Sequence, residues 1–571
     1  MKKSVFYKID GLVIFLVFIL FRLKDLGIDI INSDAFWWKT RTYNFGNAIS
    51  SFDFAGTAQT YHPGVTLLWI NYVAVKIFSI LNKFLFLNTL SERELFFVNH
   101  IIQKSFLVVI LAILVTIIYI QLKKLFGTRF SIIFFILLTF TPFFVALTRV
   151  LHTDAILTLT MFLSFLSLLN YYKTFKKINL ILSGFWLGLA VLTKSNSLIF
   201  IPFVLFVIIF EKLITTNNSH PKFILESILS AISNFTSAIP KSTSAISNFT
   251  SVTPKSTSAI PKSTFVIPNL IGNPAKSPKP ILQPILLLFS TTIITFIAFW
   301  PAMWVAPIQT LTKYLFGITE VGVSNGHIHY FMDQFTSNPG VLYYPLALLA
   351  RVDEILMILF LLGVVWYLKY KSKLKNRYVF YSLTFIVFYI LVLSFPSKKL
   401  DRYILPTFPY IVFIATFFVT SISKKLKIKL KLIVPILLLN LLITDIHFYP
   451  DYMAYYSQLI KGPNVGRKYI DPTWPIGYAS LSKYFNNIEN SENISVAVHD
   501  EYSFRPFFVG KTINIENENE VKNATYVVTY TFMPEKINLS NFTKQSVFKV
   551  AGVDYYNIYI NSNAIKNKQT N

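Results

Sequence analysis

Asp34 and His62 are an acid and an imidazole just beyond the first apolar run of this 571-residue chain, both of types that can move protons. They bracket a polar and aromatic stretch, 32–64, that opens Asn32-Ser33-Asp34-Ala35, closes Tyr61-His62-Pro63-Gly64 and follows directly on the first apolar run. Loops held by a rigid scaffold are where reactive groups gather. A carboxylate at the head of a long loop can reach a bound hydroxyl and take its proton. Asp34 can equally cap a short helix. Further on, Arg149-Val150-Leu151-His152-Thr153-Asp154 joins two apolar runs, and Lys194 ends another. Lys398, Lys399, Asp401, Arg402 and Tyr403 all fall in the segment 396–406. Asp154 is a second candidate acid, although an acid at a helix start also complements the dipole, worth about 0.3–1 kcal/mol.

The cations fit phosphate. Arginine offers a planar fork to phosphate oxygens and lysine a point charge. Such a clamp stabilises negative charge developing on a departing group. His327 and His329 are two residues apart, so they share a face on a strand and not on a helix. A divalent metal there is one reading and an ordinary loop histidine the other, and no residue is assigned as a metal ligand.

What must position these groups is a membrane scaffold. The chain is 54% hydrophobic, 17% aromatic and only 14% charged. Apolar runs near the length of about 20 residues needed to cross a bilayer recur throughout. They fall near 5–23, 100–121, 130–148, 154–172, 178–193, 197–214, 282–303, 351–369, 378–395, 403–421 and 430–446. The fold class expected is therefore an all-α polytopic membrane protein of about 11 transmembrane helices. Lys2, Lys3 and Lys8 precede the run 11–21 with no small-residue cleavage pattern after it, which reads as a retained first helix. Cysteine is absent, so disulfides, thiolate chemistry and Cys-based metal sites are excluded.

The net charge of +26 comes largely from lysines in short loops between apolar runs. That pattern speaks for orientation in the membrane rather than for nucleic acid. The basic loops beginning at Lys123, Lys173, Lys212, Lys369 and Lys424 are all cytoplasmic if the N-terminus is cytoplasmic. Asp34, Asp154, Lys194 and 398–402 then face outward, where the orientation rule disfavours cations. Charged groups that break that rule at a membrane boundary are functional candidates. The stretch 65–88 decides the count. Lys76, Ser79 and Lys83 lie on one helical face, which favours an amphipathic interface helix over a further span.

Two segments stand apart. In 226–280, SAISNFTSAIPKST is nearly repeated as SAISNFTSVTPKST and then shortened, which reads as a disordered cytoplasmic insertion. Residues 447–571 carry short strand-like runs at 494–500, 524–530 and 553–560, which predict a small extracytoplasmic α/β domain acting as lid or acceptor platform.

Together 32–34, 61–64, 148–154, 188–194, 396–406 and 449–462 resemble the GT-C superfamily of membrane glycosyltransferases. The likeness is to the branch of protein O-mannosyltransferases and lipid A aminoarabinose transferases, and 397–406 carries most of it. It implies a glycosyltransferase that uses a polyprenyl-phosphate sugar donor and acts with inversion at the outer face of the cell membrane. The acceptor would be the hydroxyl of a lipid, glycan or protein. The family's two external-loop acids fall on Asp34 and Asp154. Its basic region falls on Arg402 and Tyr403, with Lys398 and Lys399 beside them and Arg149 as a further phosphate ligand. His62, Lys194, His327 and His329 would complete the pocket. Two departures stand out: Ala35 follows Asp34 where the family often has Glu, and His62-Pro63 lie where a Lys or Pro is common. No Walker or Rossmann fingerprint is present. The rival reading is a transporter or flippase of a lipid-linked glycan, but helical repeats are not apparent and the charges sit at span ends.

Overall fold

A computed structural model describes residues 2–84, 89–216, 281–323, 328–370, 377–534 and 537–562. The repeat-bearing insertion 226–280 and His327 lie outside the described residues. All eleven apolar runs named above are helical. By length and composition, eight described helices can cross a membrane, or nine if one bent pair is a single span. Three of the eleven runs are not among them, 5–23 and the runs at 178–193 and 351–369, whose helices Lys177–Thr193 and Glu354–Lys369 have only 17 and 16 residues, whereas Val65–Phe84, expected to lie in the interface, is among them. Val65–Phe84 is a 20-residue helix long and apolar enough to span. The molecule is a mostly helical, multi-span membrane protein with a C-terminal mixed β-sheet.

Contacts divide the chain into two compact units, one of 1–204 with 287–571 and one of 205–286. Residues 447–571 thus belong to the same unit as most of the helices. Within it, local chemistry sets the element ends. Ser91 caps Glu92–Phe126 with a reciprocal box, its hydroxyl accepting from Glu94 N while the Glu94 carboxylate accepts from Ser91 N. Asp353 caps Glu354–Lys369 by accepting from Ile355 and Leu356. Gly184 and Gly188, one turn apart, let Lys177–Thr193 lie against Leu282–Phe299. A Cβ at Gly188 would stand 2.6 Å from Thr295 Cβ, so only glycine allows that approach.

The bent pair Thr128–Thr139 and Pro142–Arg149 turns through 69°. Pro142 starts the second helix and cannot donate to the first. Buried Arg22 braces the break, donating to Thr139 O at 3.0 Å and to Thr148 Oγ1 at 2.7 Å. The break delivers 150–153 to the start of Asp154–Thr174, a helix with buried side chains along most of its length.

A short hairpin pairs β1 (His329–Phe331) with β2 (Gln334–Thr336). The C-terminal sheet contains β3 (Ser495–Val498), β4 (Lys511–Asn514), β5 (Tyr526–Tyr530), β6 (Phe542–Val550) and β7 (Val553–Asn561). Its order is β4-β3-β5-β7-β6. Strand β3 runs parallel to β4 and β5, whereas β7 is antiparallel to β5 and β6. Ala497, Ile513, Val521 and Val527 close its small core. The strand-like runs read from sequence coincide with β3, β5 and β7. Strands β4 and β6 carry lysines and polar residues, so their apolar signal is weak.

Candidate active site

Buried Arg351 ties the segment after the last membrane helix to the turn Asp401–Thr407. It donates to Met453 O at 3.0 Å, to Tyr455 O at 2.7 Å and to Asp401 Oδ2 at 2.8 Å. Asp401 in turn accepts from Arg402 N at 2.7 Å and from the Thr473 hydroxyl. Asp401 is therefore occupied in holding this turn, and the Arg402 side chain is aimed by it. A guanidinium so fixed loses little rotamer freedom when it meets an anion.

Around Arg402 the structure gathers residues that lie far apart in the chain. Arg402 Nη1 meets Asp34 Oδ2 at 2.8 Å, and its Nε lies 3.6 Å from Asp154 Oδ2. Lys194 Nζ meets Asp154 Oδ1 at 2.6 Å. His152 bridges the two acids, with Nδ1 2.9 Å from Asp154 Oδ2 and Nε2 3.5 Å from Asp34 Oδ2. Trp474 Nε1 donates to Asp34 Oδ2 at 3.2 Å, while its ring stacks 4.2 Å beneath the Arg402 guanidinium. Tyr403 lies under Lys194, 4.4 Å from ring centre to Nζ. His62 reaches the edge of the cluster through a 3.4 Å contact between Nδ1 and Ser195 Oγ.

The two acids differ in access. The Asp34 side chain is 34% exposed and that of Asp154 only 4%. Asp34 can touch a substrate, and Asp154 is enclosed by Lys194, His152 and Arg402. Burial pushes the Asp34 carboxyl up, but Arg402 and His152 outweigh it and hold it well below the usual carboxylate range. Burial pulls the Lys194 ammonium down, against Asp154, which favours its charge. Burial likewise lowers His152, with Asp154 opposing and Arg402 reinforcing the shift. Burial first, then Lys194 and Lys398, hold His62 well below its ordinary value, so that imidazole is neutral.

Other residues singled out in the sequence lie elsewhere. Arg149 is buried in a separate network, donating to Asp29 Oδ2 at 2.9 Å and to the carbonyls of Arg22 and Lys24. Lys104 meets the other oxygen of Asp29 at 2.7 Å. Lys399 Nζ donates to Ser394 O and Pro396 O, closing the end of Arg377–Ser394. Lys398 and His329 line a neighbouring cavity of about 240 Å³ together with Tyr343, Asp471 and Thr473. Among the described residues no group of three or more His, Asp or Glu side chains is arranged to hold a metal ion. His152 and Trp474 are the members that the sequence did not single out. His152 sat inside a quoted motif with nothing to separate it from a loop histidine, and Trp474 lay in an aromatic, proline-rich stretch without spacing to mark it.

A cluster of this kind at the ends of membrane helices defines the class: a multi-span protein with two acids and two cations gathered at one end of its helix bundle. Residues 95–237, about a quarter of the chain, match the protein family described as dolichyl-phosphate-mannose-protein mannosyltransferase. That stretch includes Arg149, His152, Asp154 and Lys194 and agrees with the resemblance drawn from the sequence. No curated protein matches. Among solved structures, ArnT from Cupriavidus metallidurans bound to undecaprenyl phosphate is similar at 10% identity over 98% of each chain, with a TM-score of 0.45. The Archaeoglobus fulgidus oligosaccharyltransferase in its apo form is similar at 13% identity, covering 91% of this chain and 69% of that one, with a TM-score of 0.42. AglB from the same organism, in complex with an inhibitory peptide and a dolichol-phosphate, is similar at 14% identity over 92% and 70%, also with a TM-score of 0.42.

Proposed function

We propose that this protein is a glycosyltransferase that moves a sugar from a polyprenyl-phosphate donor to a hydroxyl acceptor at the outer face of the cell membrane, with inversion. The observation that carries the reading is the convergence of accessible Asp34 with Arg402, 368 positions apart, at the end of the helix bundle. The matched family region supports it.

In this mechanism the prenyl tail lies among the helices, which brings its phosphate to the membrane boundary. Arg402 holds the phosphate, with Lys398 and Lys399 close by on the same loop. Trp474 and Tyr403 form the walls. Asp34 orients an acceptor hydroxyl and takes its proton as the oxygen attacks the anomeric carbon from the side opposite the phosphate. The sugar–phosphate bond breaks with its electron pair left on the phosphate oxygen. Positioning of this kind supplies on the order of 7–11 kcal/mol in well-oriented cases. Lys194 neutralises Asp154 and keeps the acids from repelling each other. The buried Asp154 thus shapes the field around Asp34 and does not itself meet the acceptor.

The test is release of undecaprenyl phosphate by purified protein given undecaprenyl phosphates bearing a hexose, a pentose or an aminopentose. A Ser/Thr peptide and a membrane glycolipid serve as acceptors. Release coupled to acceptor labelling is expected with one donor; no release with any donor overturns the reading. The absence of cysteine makes sidedness simple to check. Ser51→Cys and Lys544→Cys are both expected to react with an impermeant maleimide on intact cells. Protection of either one would place the two halves of the proposed centre on different sides.

A further inference from the structure

We infer that His152 is the final proton acceptor of this transfer: the acceptor's proton passes through Asp34 to His152 Nε2, and Asp154 holds the resulting imidazolium. The inference rests on the glycosyl-transfer reading above. Its motive is a mismatch at Asp34. That carboxylate reaches the substrate, yet Arg402 and His152 hold it far toward its ionised form, which makes it a weak base. A weak base that meets the hydroxyl needs a stronger one behind it. His152 stands there, with a side chain 6% exposed and therefore unable to meet an acceptor itself.

The imidazole stands between the two acids. Nδ1 lies 2.9 Å from Asp154 Oδ2, out of line for a hydrogen bond but close enough for that carboxylate to favour the imidazolium, and Nε2 lies 3.5 Å from Asp34 Oδ2, within reach of a proton held there. The charged groups facing the ring are Asp34 from the helix Ser33–Ser50, Asp154 and Arg402. Trp38 and Trp474 pack beside it at ring-centre distances of 6.2 and 5.4 Å and exclude water. When Arg402 turns toward a donor phosphate, its pull on both Asp34 and His152 weakens, and each becomes the better base as the donor binds. The oxygen–carbon bond forms, the carbon–phosphate oxygen bond breaks, and the displaced proton rests on His152 until product leaves. His152 acts through Asp34, so it is a positioning residue that also stores a proton.

A pH profile of undecaprenyl phosphate release separates this from a packing role. In the unaltered protein kcat is expected to fall as the pH drops through the range of the depressed imidazole, below about 6.5. His152→Gln is expected to lower kcat about a hundredfold, to leave the donor KM within about twofold, and to abolish that acid limb. Asp154→Asn is expected to shift the limb to lower pH, because the carboxylate that favours the imidazolium is gone. An unchanged acid limb in His152→Gln, or kcat within about threefold of the parent, overturns the inference and leaves the glycosyl-transfer reading standing. No release by the parent protein removes both.

A different observation carries a second inference. A cavity of about 910 Å³ opens at the end of Phe408–Lys425 remote from Arg402. Phe408–Lys425 connects the two regions, with Arg402 just before its start and Thr420, Ser421 and Lys424 near its end. Its 18 residues span about 27 Å, close to the thickness of a bilayer core. Arg129, Arg377 and Lys424 line the cavity together with four phenylalanines, and no acid is among its lining residues. Phe413 lies 5.2 Å from both Phe126 and Phe130, which makes the inner wall apolar. Cations at the mouth and aromatic rings within match an anionic phospholipid, headgroup at the rim and acyl chain inside. We propose that this cavity binds one.

The experiment uses full-length protein in nanodiscs of phosphatidylcholine doped with phosphatidylglycerol, read by native mass spectrometry of retained lipid. Preferential retention of phosphatidylglycerol is expected, reduced at least about fivefold in the double variant Arg129→Gln, Lys424→Gln, with the melting temperature confirming that the variant is folded. Equal retention of the two lipids, or no loss in the double variant, overturns the site. Displacement of phosphatidylglycerol by equimolar undecaprenyl phosphate would assign the cavity to a prenyl phosphate and overturn the phospholipid assignment.

Discussion

Asp34 Oδ2 receives Arg402 Nη1 at 2.8 Å and Trp474 Nε1 at 3.2 Å, while His152 Nε2 faces the same oxygen at 3.5 Å. One carboxylate oxygen thus takes both hydrogen bonds donated to this side chain, and the side chain remains 34% exposed. The folded carboxyl lies below its unfolded value, so its ion pair stabilises fully above the unfolded pKa of about 4 and is lost as pH falls through the folded one. Asp34 is consequently ionised throughout the physiological range. Asp34→Asn keeps the shape and removes the base. The expected outcome is a loss of transfer of about a hundredfold or more, with the melting temperature at neutral pH lowered only modestly. Turnover equal to the parent would remove Asp34 from the mechanism.

Arg402 is expected to matter to the donor more than to the acceptor. Arg402→Ala should raise the donor KM about tenfold to a hundredfold, corresponding to ~1.5–3 kcal/mol for a charge-assisted hydrogen bond. The acceptor KM should change little. Arg402→Lys should rescue poorly, because an ammonium cannot reproduce a fork stacked on Trp474. Titrating each substrate separately in the release assay gives the answer, and equal weakening for both would count against a phosphate clamp.

Arg149 carries a different expectation from the one its sequence position suggests. Its side chain and that of Asp29 are each 1% exposed, and Lys104 shares the same acid. Removing Arg149 leaves Asp29 paired with Lys104 but strips the Arg22 and Lys24 carbonyls of their donor, at about 1–3 kcal/mol for each buried acceptor left unmade. Arg149→Ala should therefore lower the yield and melting temperature of the purified protein, and whatever folds should bind donor with the parent's KM. A stable variant with selectively weakened donor binding would return Arg149 to the phosphate site.

Much of this was legible in the chain because membrane helices announce themselves. Every apolar run became helical, the run 130–148 as a bent pair, since a backbone in lipid must satisfy its own hydrogen bonds. The acids and cations of the cluster were visible as charged residues at the ends of those runs. Their pairing was not. Nothing in the types Arg149, Lys399 and Arg402 says which guanidinium or ammonium faces an opening and which closes a helix end or a buried network. That depends on the 69° break at Pro142, on Arg22 meeting Thr139, and on Arg351 fixing the Asp401 turn. Strand β4 was missed for a related reason, since four residues beginning Lys511-Thr512 owe their strand geometry to parallel pairing with β3.

The insertion 226–280 offers a prediction from composition alone. Its Ser, Thr, Pro and Lys repeat supplies too little apolar surface to fold a core. Deleting it should leave the rate of transfer within about twofold of the parent, on the footing that surface insertions cost little. A well-folded deletion that had lost activity would show that the repeat takes part in the reaction or in substrate delivery.

Asp451 gives the protein a pH dependence of the opposite sign to that of Asp34. Burial, reinforced by the nearby charge of Asp29, pushes its carboxyl up to about 7. Between the unfolded pKa of about 4 and this value the folded state binds more protons than the unfolded one, so stability falls as pH rises across that window. The loss is complete once the pH has passed the folded value. Asp451→Asn removes the ionisation while keeping an acceptor for the backbone of Gly477, which the carboxylate now uses. The variant should melt higher than the parent at pH 8, and the difference should close at pH 5, where the parent's carboxyl is already neutral. Melting curves at the two pH values in the same detergent decide it. A gap that is equal at both would mean that Asp451 is not protonated in the fold, and that its burial is offset by a partner stronger than the single backbone donor from Gly477.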